Sequence, residues 1–196
     1  MLDTVPPAIL ADLKHRHAEP QRHYHDWSHV EALLNHLAAI ETRIGDRKAV
    51  LHAILFHDAV YDPAAKDNER RSAALLVETA PPIPTASLAL ARRMIEATEG
   101  HHLPQDLSGT AREDCAHFLD MDLAILGAGE TRFDIYEAQI RREYAHVPDA
   151  AFRSGRAQVL RHFADRARLY FTPWARDRFE QRARANIARS LAALGE

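Results

Sequence analysis

The segment Asp46–Asp58 constrains the fold most. It contains Ala49, Val50, Leu51, Ala53, Ile54, Leu55 and Phe56 and is apolar nearly all round, so as a helix it has no face to give to water and belongs at the centre of a bundle. Helix is the reading for the rest of the chain as well. Alternating apolar and polar runs of strand type are missing, glycine is scarce at 7 residues, and Ala, Leu, Arg and Glu fill the segments between breaks. The expected helices are Ala8–Ala18, Ser28–Thr42, Asp46–Asp58, Lys66–Thr79, Thr85–Glu99, Thr110–Leu126, Gly129–His146, Asp149–Leu169 and Pro173–Leu194. Ser28 with Glu31 and Thr110 with Glu113 fit capping boxes, Thr172-Pro173 places a cap before a first-turn proline, and Gly100 is positioned to stop the helix before it. Pro81-Pro82-Ile83-Pro84 reads as a short connection, and no repeat, low-complexity segment or Gly/Ser-rich linker divides the 196 residues. The expectation is an all-α, single-domain helical bundle of about eight to nine helices over residues 1–196.

Charge and composition exclude several classes of function. With 25 Lys+Arg against 28 Asp+Glu, a formal charge of −3 and a pI near 6.5, the chain lacks the positive surplus that a nucleic-acid polymer or an anionic membrane would select. Arg176, Arg178, Arg182, Arg184 and Arg189 cluster near the end, but Asp177 and Glu180 interrupt them and the stretch reads as a solvated helix face. No apolar run approaches the roughly 18 residues of a membrane span, and Met1-Leu2-Asp3-Thr4-Val5-Pro6-Pro7 has no basic start or hydrophobic stretch of a signal peptide. A cytoplasmic protein is expected. The single cysteine, Cys115, rules out an internal disulfide framework and is a poor basis for a metal cluster.

The chain carries 13 histidines, about three times the usual share, and eight of them lie between His15 and His57. Histidine is the commonest metal ligand and titrates nearest neutral pH, so the cluster points to a metal or acid/base site. The central apolar segment ends in His57-Asp58, two polar groups whose burial a divalent cation would compensate directly. A second histidine, His29, begins the stripe Val30, Leu33, Leu34 and Leu37, and that helix can deliver it toward His57. Further on, Asp120 and Asp122 interrupt an apolar stretch. Asp122 shares a helical face with Phe118 and Ile125, which makes it the better inward carboxylate, with Asp120 the alternative.

Taken together, the motifs resemble a known family. They are Arg22-x-Tyr24-His25-x-x-x-His29, Phe56-His57-Asp58-x-x-Tyr61, Asn68-Glu69-x-x-Ser72, Ile95-x-x-Thr98-x-x-His101, Asp120-x-Asp122-Leu123-x-Ile125-Leu126-Gly127, Arg142-Glu143-Tyr144, Gly155-Arg156 and Glu180-x-x-Ala183-Arg184-x-Asn186. The pattern is similar to that of the HD-domain superfamily, and within it to a bacterial group described as predicted metal-dependent HD phosphohydrolases; the similarity runs from about Arg22 to Leu194. The resemblance implies a metal shell of His29, His57, Asp58 and Asp122. His25 stands as either a further ligand or a substrate-facing neighbour.

Two nitrogens and two carboxylates suit one divalent ion, Mn, Fe, Zn, Ni or Mg, with positions left for water and substrate. The activity expected is attack of metal-activated water on a small phosphorylated metabolite, a nucleotide among the candidates. Glu69 is the first candidate for orienting that water and Asp62 the second, with Asp58 acting from the metal shell. His101 is placed to protonate a leaving group, to stabilise the transition state or to ligate a second metal. Arg22 and Arg156 lead Lys66 and Arg142 as phosphate-binding groups. Tyr24, Trp27, Tyr61 and Tyr144 could stack a base but fit core packing better. Two other readings are a ligand-binding module that keeps the metal as a clip, and a dinuclear iron oxygenase.

Overall fold

The structure, a computed structural model, describes residues 2–79 and 83–195; Pro81 and Pro82 of the expected 81–84 connection lie outside the described residues. Among the described residues the regular structure is entirely helical, as expected for an all-α chain. It forms two compact units, 1–119 and 120–196. The boundary falls inside a helix. No described helix is long and apolar enough to cross a membrane.

The first unit holds α1 (Pro7–Arg16), α2 (Trp27–Ala39), α3 (Arg47–Phe56), α4 (Asn68–Thr79), α5 (Thr85–Ala97) and most of α6 (Gly109–Asp122). Its centre is α3, in which every residue from Ala49 to Phe56 is buried and on which α2, α4 and α5 pack. Asp46 caps α3 by accepting from the Ala49 amide at 3.0 Å. The fully buried Asp114 carboxylate of α6 accepts from the Gly45 and Asp46 amides at 2.8 and 2.7 Å, so the start of α3 is tied to α6.

Two helix ends differ from expectation. The N-cap of α2 is Asp26 rather than Ser28: its carboxylate accepts from both the Ser28 amide (2.8 Å) and the Ser28 hydroxyl (2.5 Å), and Ser28 is drawn into the first turn as a donor. Helix α5 stops at Ala97, ahead of Gly100, where the Thr98 amide closes a tighter turn on the Ile95 carbonyl at 3.1 Å and the Thr98 hydroxyl donates to the same oxygen at 2.7 Å. The left-handed residue in the turn beyond is His101, with φ +49°. Cys115 is buried, and burial pushes its thiol up to about 12.

The second unit contains a 3₁₀ turn (Leu123–Gly127), α7 (Glu130–Glu143), α8 (Asp149–Ala164) and α9 (Gln181–Leu194), which packs against α8 and the 3₁₀ turn. One helical turn (Pro173–Ala175) and a π-helical stretch (Arg176–Glu180) precede α9, so the expected helix from Pro173 to Leu194 is present but irregular at its start. Thr172 caps that start, accepting from the Ala175 amide at 3.2 Å.

The expected helix Asp149–Leu169 ends early for a reason visible in its hydrogen bonds. Leu169 and Tyr170 donate their amides to Glu180 at 3.0 and 3.2 Å, while Phe171 and Thr172 donate theirs to Asp120 at 2.8 and 2.7 Å. Four successive backbone donors are thus satisfied outside any helix.

Arg178, Arg182 and Arg189 are exposed, as expected of a solvated face, and Arg176 and Arg184 are half-buried, but several of them also hold backbone. Arg182 donates to the Gly127 carbonyl at 2.8 Å, and Arg184 to Glu180 at 2.8 Å and to the carbonyls of Ala164, Arg166 and Ala167. Asn186 donates to the Leu126 and Ala128 carbonyls, both at 2.9 Å.

Candidate metal centre

His57 caps the end of α3, and its ring finishes the helix that carries it. The Nδ1 atom lies 2.9 Å from the Ile54 carbonyl. A carbonyl only accepts, so Nδ1 holds the proton and Nε2 of the neutral ring presents its lone pair outward. That Nε2 is 3.1 Å from His29 Nε2 and 3.0 Å from Asp58 Oδ2, and the third side of the triangle, His29 Nε2 to Asp58 Oδ2, is 3.7 Å. Three atoms of ligand type converge from the first turn of α2 and the end of α3. Only a shared proton or a cation among them reconciles their lone pairs, and two imidazole nitrogens with a carboxylate oxygen are a donor set that suits a divalent metal ion.

The group is walled on one side and open on another. His29 and His57 are buried, at 3% and 1% exposure, whereas the Asp58 side chain keeps 19%. The Tyr24 ring packs on His29 with centroids 4.8 Å apart, and Phe118 of α6 meets the His57 ring edge-on at 5.8 Å. Burial pushes the Asp58 carboxyl up, but the imidazoles of His57, His25 and His29 outweigh it and hold the group well below the ordinary carboxylate range.

The two carboxylates at the end of α6 have different surroundings. Asp120 is fully buried with both oxygens occupied by the Phe171 and Thr172 amides; burial nevertheless pushes its carboxyl up to about 6. Asp122 is half-buried and stands one turn after Phe118, on the same side of the helix. The register that favoured Asp122 in the sequence therefore agrees with the bonding that commits Asp120 elsewhere.

His25 lies in the segment before α2, its ring against Tyr61 at 4.4 Å and edge-on to His29 at 6.0 Å, so it borders the group. Arg22 does not reach outward. Its side chain has no exposure and donates to the carbonyls of His25, Asp58 and Ala59 and to Glu19. Arg156, in the second unit, is buried and donates to the Tyr136 hydroxyl at 2.9 Å and to Glu137. Both guanidinium groups have internal partners, in contrast to the exposed Lys66 and Arg142.

Glu69 is half-buried in the first turn of α4. Asp62 is exposed, with a carboxylate that accepts from the Ala64 amide at 2.9 Å. His101 is half-buried in the turn after α5.

The sequence reading quoted Asn68 and Ser72 in a motif without giving them a role and missed Gln21; these side chains hold the loop after Asp58. Ser72 accepts from the Val60 amide at 3.0 Å, Asn68 exchanges hydrogen bonds with the Asp62 backbone at 2.9 and 3.1 Å, and Gln21 donates to the Tyr61 carbonyl at 3.4 Å. The signal was the spacing Asn68-x-x-x-Ser72, one turn apart on α4.

Two further histidines repeat the anchoring of His57 without its consequence. His17 and His52 lie with Nδ1 2.8 and 2.7 Å from the Leu13 and Lys48 carbonyls, yet their buried Nε2 atoms have no partner among the described residues. Burial lowers both, His17 to about 4. Comparison of the chain with family models, curated proteins and solved structures finds no match.

Proposed function

We propose that this chain is a metal-dependent phosphohydrolase of the HD-domain kind that its motifs resemble, acting on a small phosphorylated metabolite such as a nucleotide. The observation that supports it is the convergence of His29 Nε2, His57 Nε2 and Asp58 Oδ2 to within 3.7 Å of one another. In this reading His29, His57, Asp58 and Asp122 hold the ion, and His29, His57 and Asp122 carry donor atoms of the types that hold metals. When bound, the ion supplies Lewis acidity to a phosphoryl oxygen and to water.

The chain's own residues do the rest. His57 keeps its lone pair on the site by donating from Nδ1 to Ile54, and Tyr24 and Phe118 exclude water from the imidazole faces. Glu69 orients the attacking water and takes its proton. As the water oxygen bonds to phosphorus the bond to the leaving oxygen breaks, and His101 returns a proton to that oxygen. His25, beside Asp58 and open on one side, faces the substrate.

The test is elemental analysis of the gently purified chain beside His57→Ala, followed by phosphate release from a panel of phosphorylated metabolites. About one ion per chain, lost in the variant, with metal-dependent release is the expected result. Metal without turnover of any phosphate ester transfers the site to a ligand-binding role. Two ions with oxygen uptake transfer it to a dinuclear oxygenase. No metal after reconstitution with Mn, Fe, Zn and Ni ends the reading.

A further inference from the structure

The geometry points to Arg22 as the positioning residue of the metal centre, holding its ligands in register rather than binding phosphate. The inference rests on the metal reading above and starts from a mechanical problem. His29 stands on α2, whose packing on α3 is fixed by their apolar faces. Asp58, however, lies beyond the end of α3, where no helical ladder holds the backbone. Its carboxylate is 3.0 Å from His57 Nε2 only if the peptide units around it are held by something else.

Arg22 supplies that hold. One guanidinium donates from Nη1 to the His25 carbonyl at 3.0 Å and the Asp58 carbonyl at 2.6 Å, and from Nη2 to the Ala59 carbonyl at 3.3 Å. Its Nε donates to Glu19 at 3.0 Å, and the Tyr61 ring lies over it at 5.3 Å. A single planar cation thus ties the segment that leads into His29 to the two peptide units at and after Asp58. It also sits where the negative end of the α3 dipole favours positive charge.

Three carbonyls nearer the helix have donors of their own: Ala53 accepts from the His57 amide, Ile54 from the His57 ring and Phe56 from the Ala59 amide. Those beyond them, at Asp58 and Ala59, depend on Arg22. The fork shape is required, because a lysine ammonium is a point charge on a flexible stem and cannot serve three carbonyls in one plane. Contacts that orient ligands from outside the coordination shell commonly change metal affinity by about 10- to 100-fold.

The experiment is a cobalt(II) titration of the full chain, followed by visible absorption, on the wild type, Arg22→Lys, Arg22→Gln and Leu76→Ala. Leu76 is a buried residue of α4, and its truncation destabilises the same unit without touching the ligands. We expect both Arg22 variants to bind cobalt about tenfold or more weakly with an altered absorption band, and Leu76→Ala to keep the wild-type band and affinity. The lysine variant retains positive charge at the helix end, so it reads the geometry even if the glutamine variant folds poorly. Wild-type affinity and band shape in Arg22→Lys overturn the inference, and so does an equal loss in Leu76→Ala, which would make the effect one of stability. If the wild type itself binds no cobalt, the metal reading falls and this inference falls with it.

Discussion

Asp58 and Asp120 are both acids set in the interior, one in each unit, and their partners are opposite in kind. Asp120 faces donors, the amides of Phe171 and Thr172. Asp58 faces the ring nitrogens of His57 and His29, 3.0 and 3.7 Å away. A carboxylate whose oxygens are filled by backbone amides has completed its work as part of the fold, as Asp114 and Glu180 also have. One that converges with other lone pairs needs a shared proton or a cation. The second unit uses its charged interior to hold irregular backbone, and in the proposed reading the first keeps part of its own for a metal ion.

The sharpest test of that contrast is to remove the ligands. His57→Ala and Asp58→Asn are expected to lose bound metal and at least about a hundredfold in phosphate release while their far-ultraviolet circular dichroism stays that of the wild type. Asp120→Ala should do the reverse. It leaves the Phe171 and Thr172 amides without an acceptor, at about 1–3 kcal/mol each, so unfolding by urea should show a loss of about 2–6 kcal/mol, with metal retained by the folded fraction. Asp122→Asn should weaken metal binding and cost under about 1 kcal/mol. A metal-free but fully stable Asp120→Ala would break the comparison, because it would make Asp120 the ligand.

Much of this was legible from residue patterns. The apolar run around Ala49–Phe56 announces a buried helix whatever its neighbours, and the polar pair that ends it, His57-Asp58, stands out because nothing in that run would otherwise tolerate it. The i, i+4 register of Phe118 and Asp122 separated two adjacent candidates. What was not legible depends on partners distant in sequence. Arg22 and Arg156 look like anion-binding groups until the carbonyls of Asp58 and Ala59, or Tyr136 and Glu137, are known to receive them. The exposed arginines of α9 fit the solvated face expected of them, but the backbone carbonyls that Arg182 and Arg184 also reach were hidden for the same reason. Arginine's composition signal is identical whether it meets a phosphate or a peptide oxygen.

Histidine offers a second form of the comparison. His17 and His57 are anchored alike, but only the Nε2 of His57 meets another ligand atom. His17 is therefore a neutral structural histidine, with its value lowered from 6.5 to about 4 by burial. Its contribution is fully present above pH 6.5 and is lost as pH falls from 6.5 toward 4, because the unfolded chain takes up the proton first. The full loss is about 3 kcal/mol. Urea unfolding at pH 7.5, 5.5 and 4.5 should show the wild type losing stability relative to His17→Leu over that window; His52 and His117, which burial also lowers, and the raised Asp120 carboxyl, whose slope is opposite in sign, act in both chains and drop out of the difference. An unchanged slope in His17→Leu would place the acid sensitivity in other groups.

The smallest effect expected concerns the two acids proposed to handle water, and the same distinction ranks them. Asp62 accepts from the Ala64 amide within its own turn, a local bond of the kind that shapes loops. No described residue donates to the Glu69 carboxylate, which stands half-buried in the first turn of α4. By the rule that separates Asp58 from Asp120, Glu69 is the acid with capacity left for a substrate water. Glu69→Gln preserves its shape and removes its basicity, so kcat should fall about a hundredfold with metal content and KM near those of the wild type. Asp62→Asn should leave kcat within about twofold. If the two variants exchange these results, a carboxylate's bonding in the resting fold does not reveal whether it serves the reaction, and the contrast would hold for metal ligands alone.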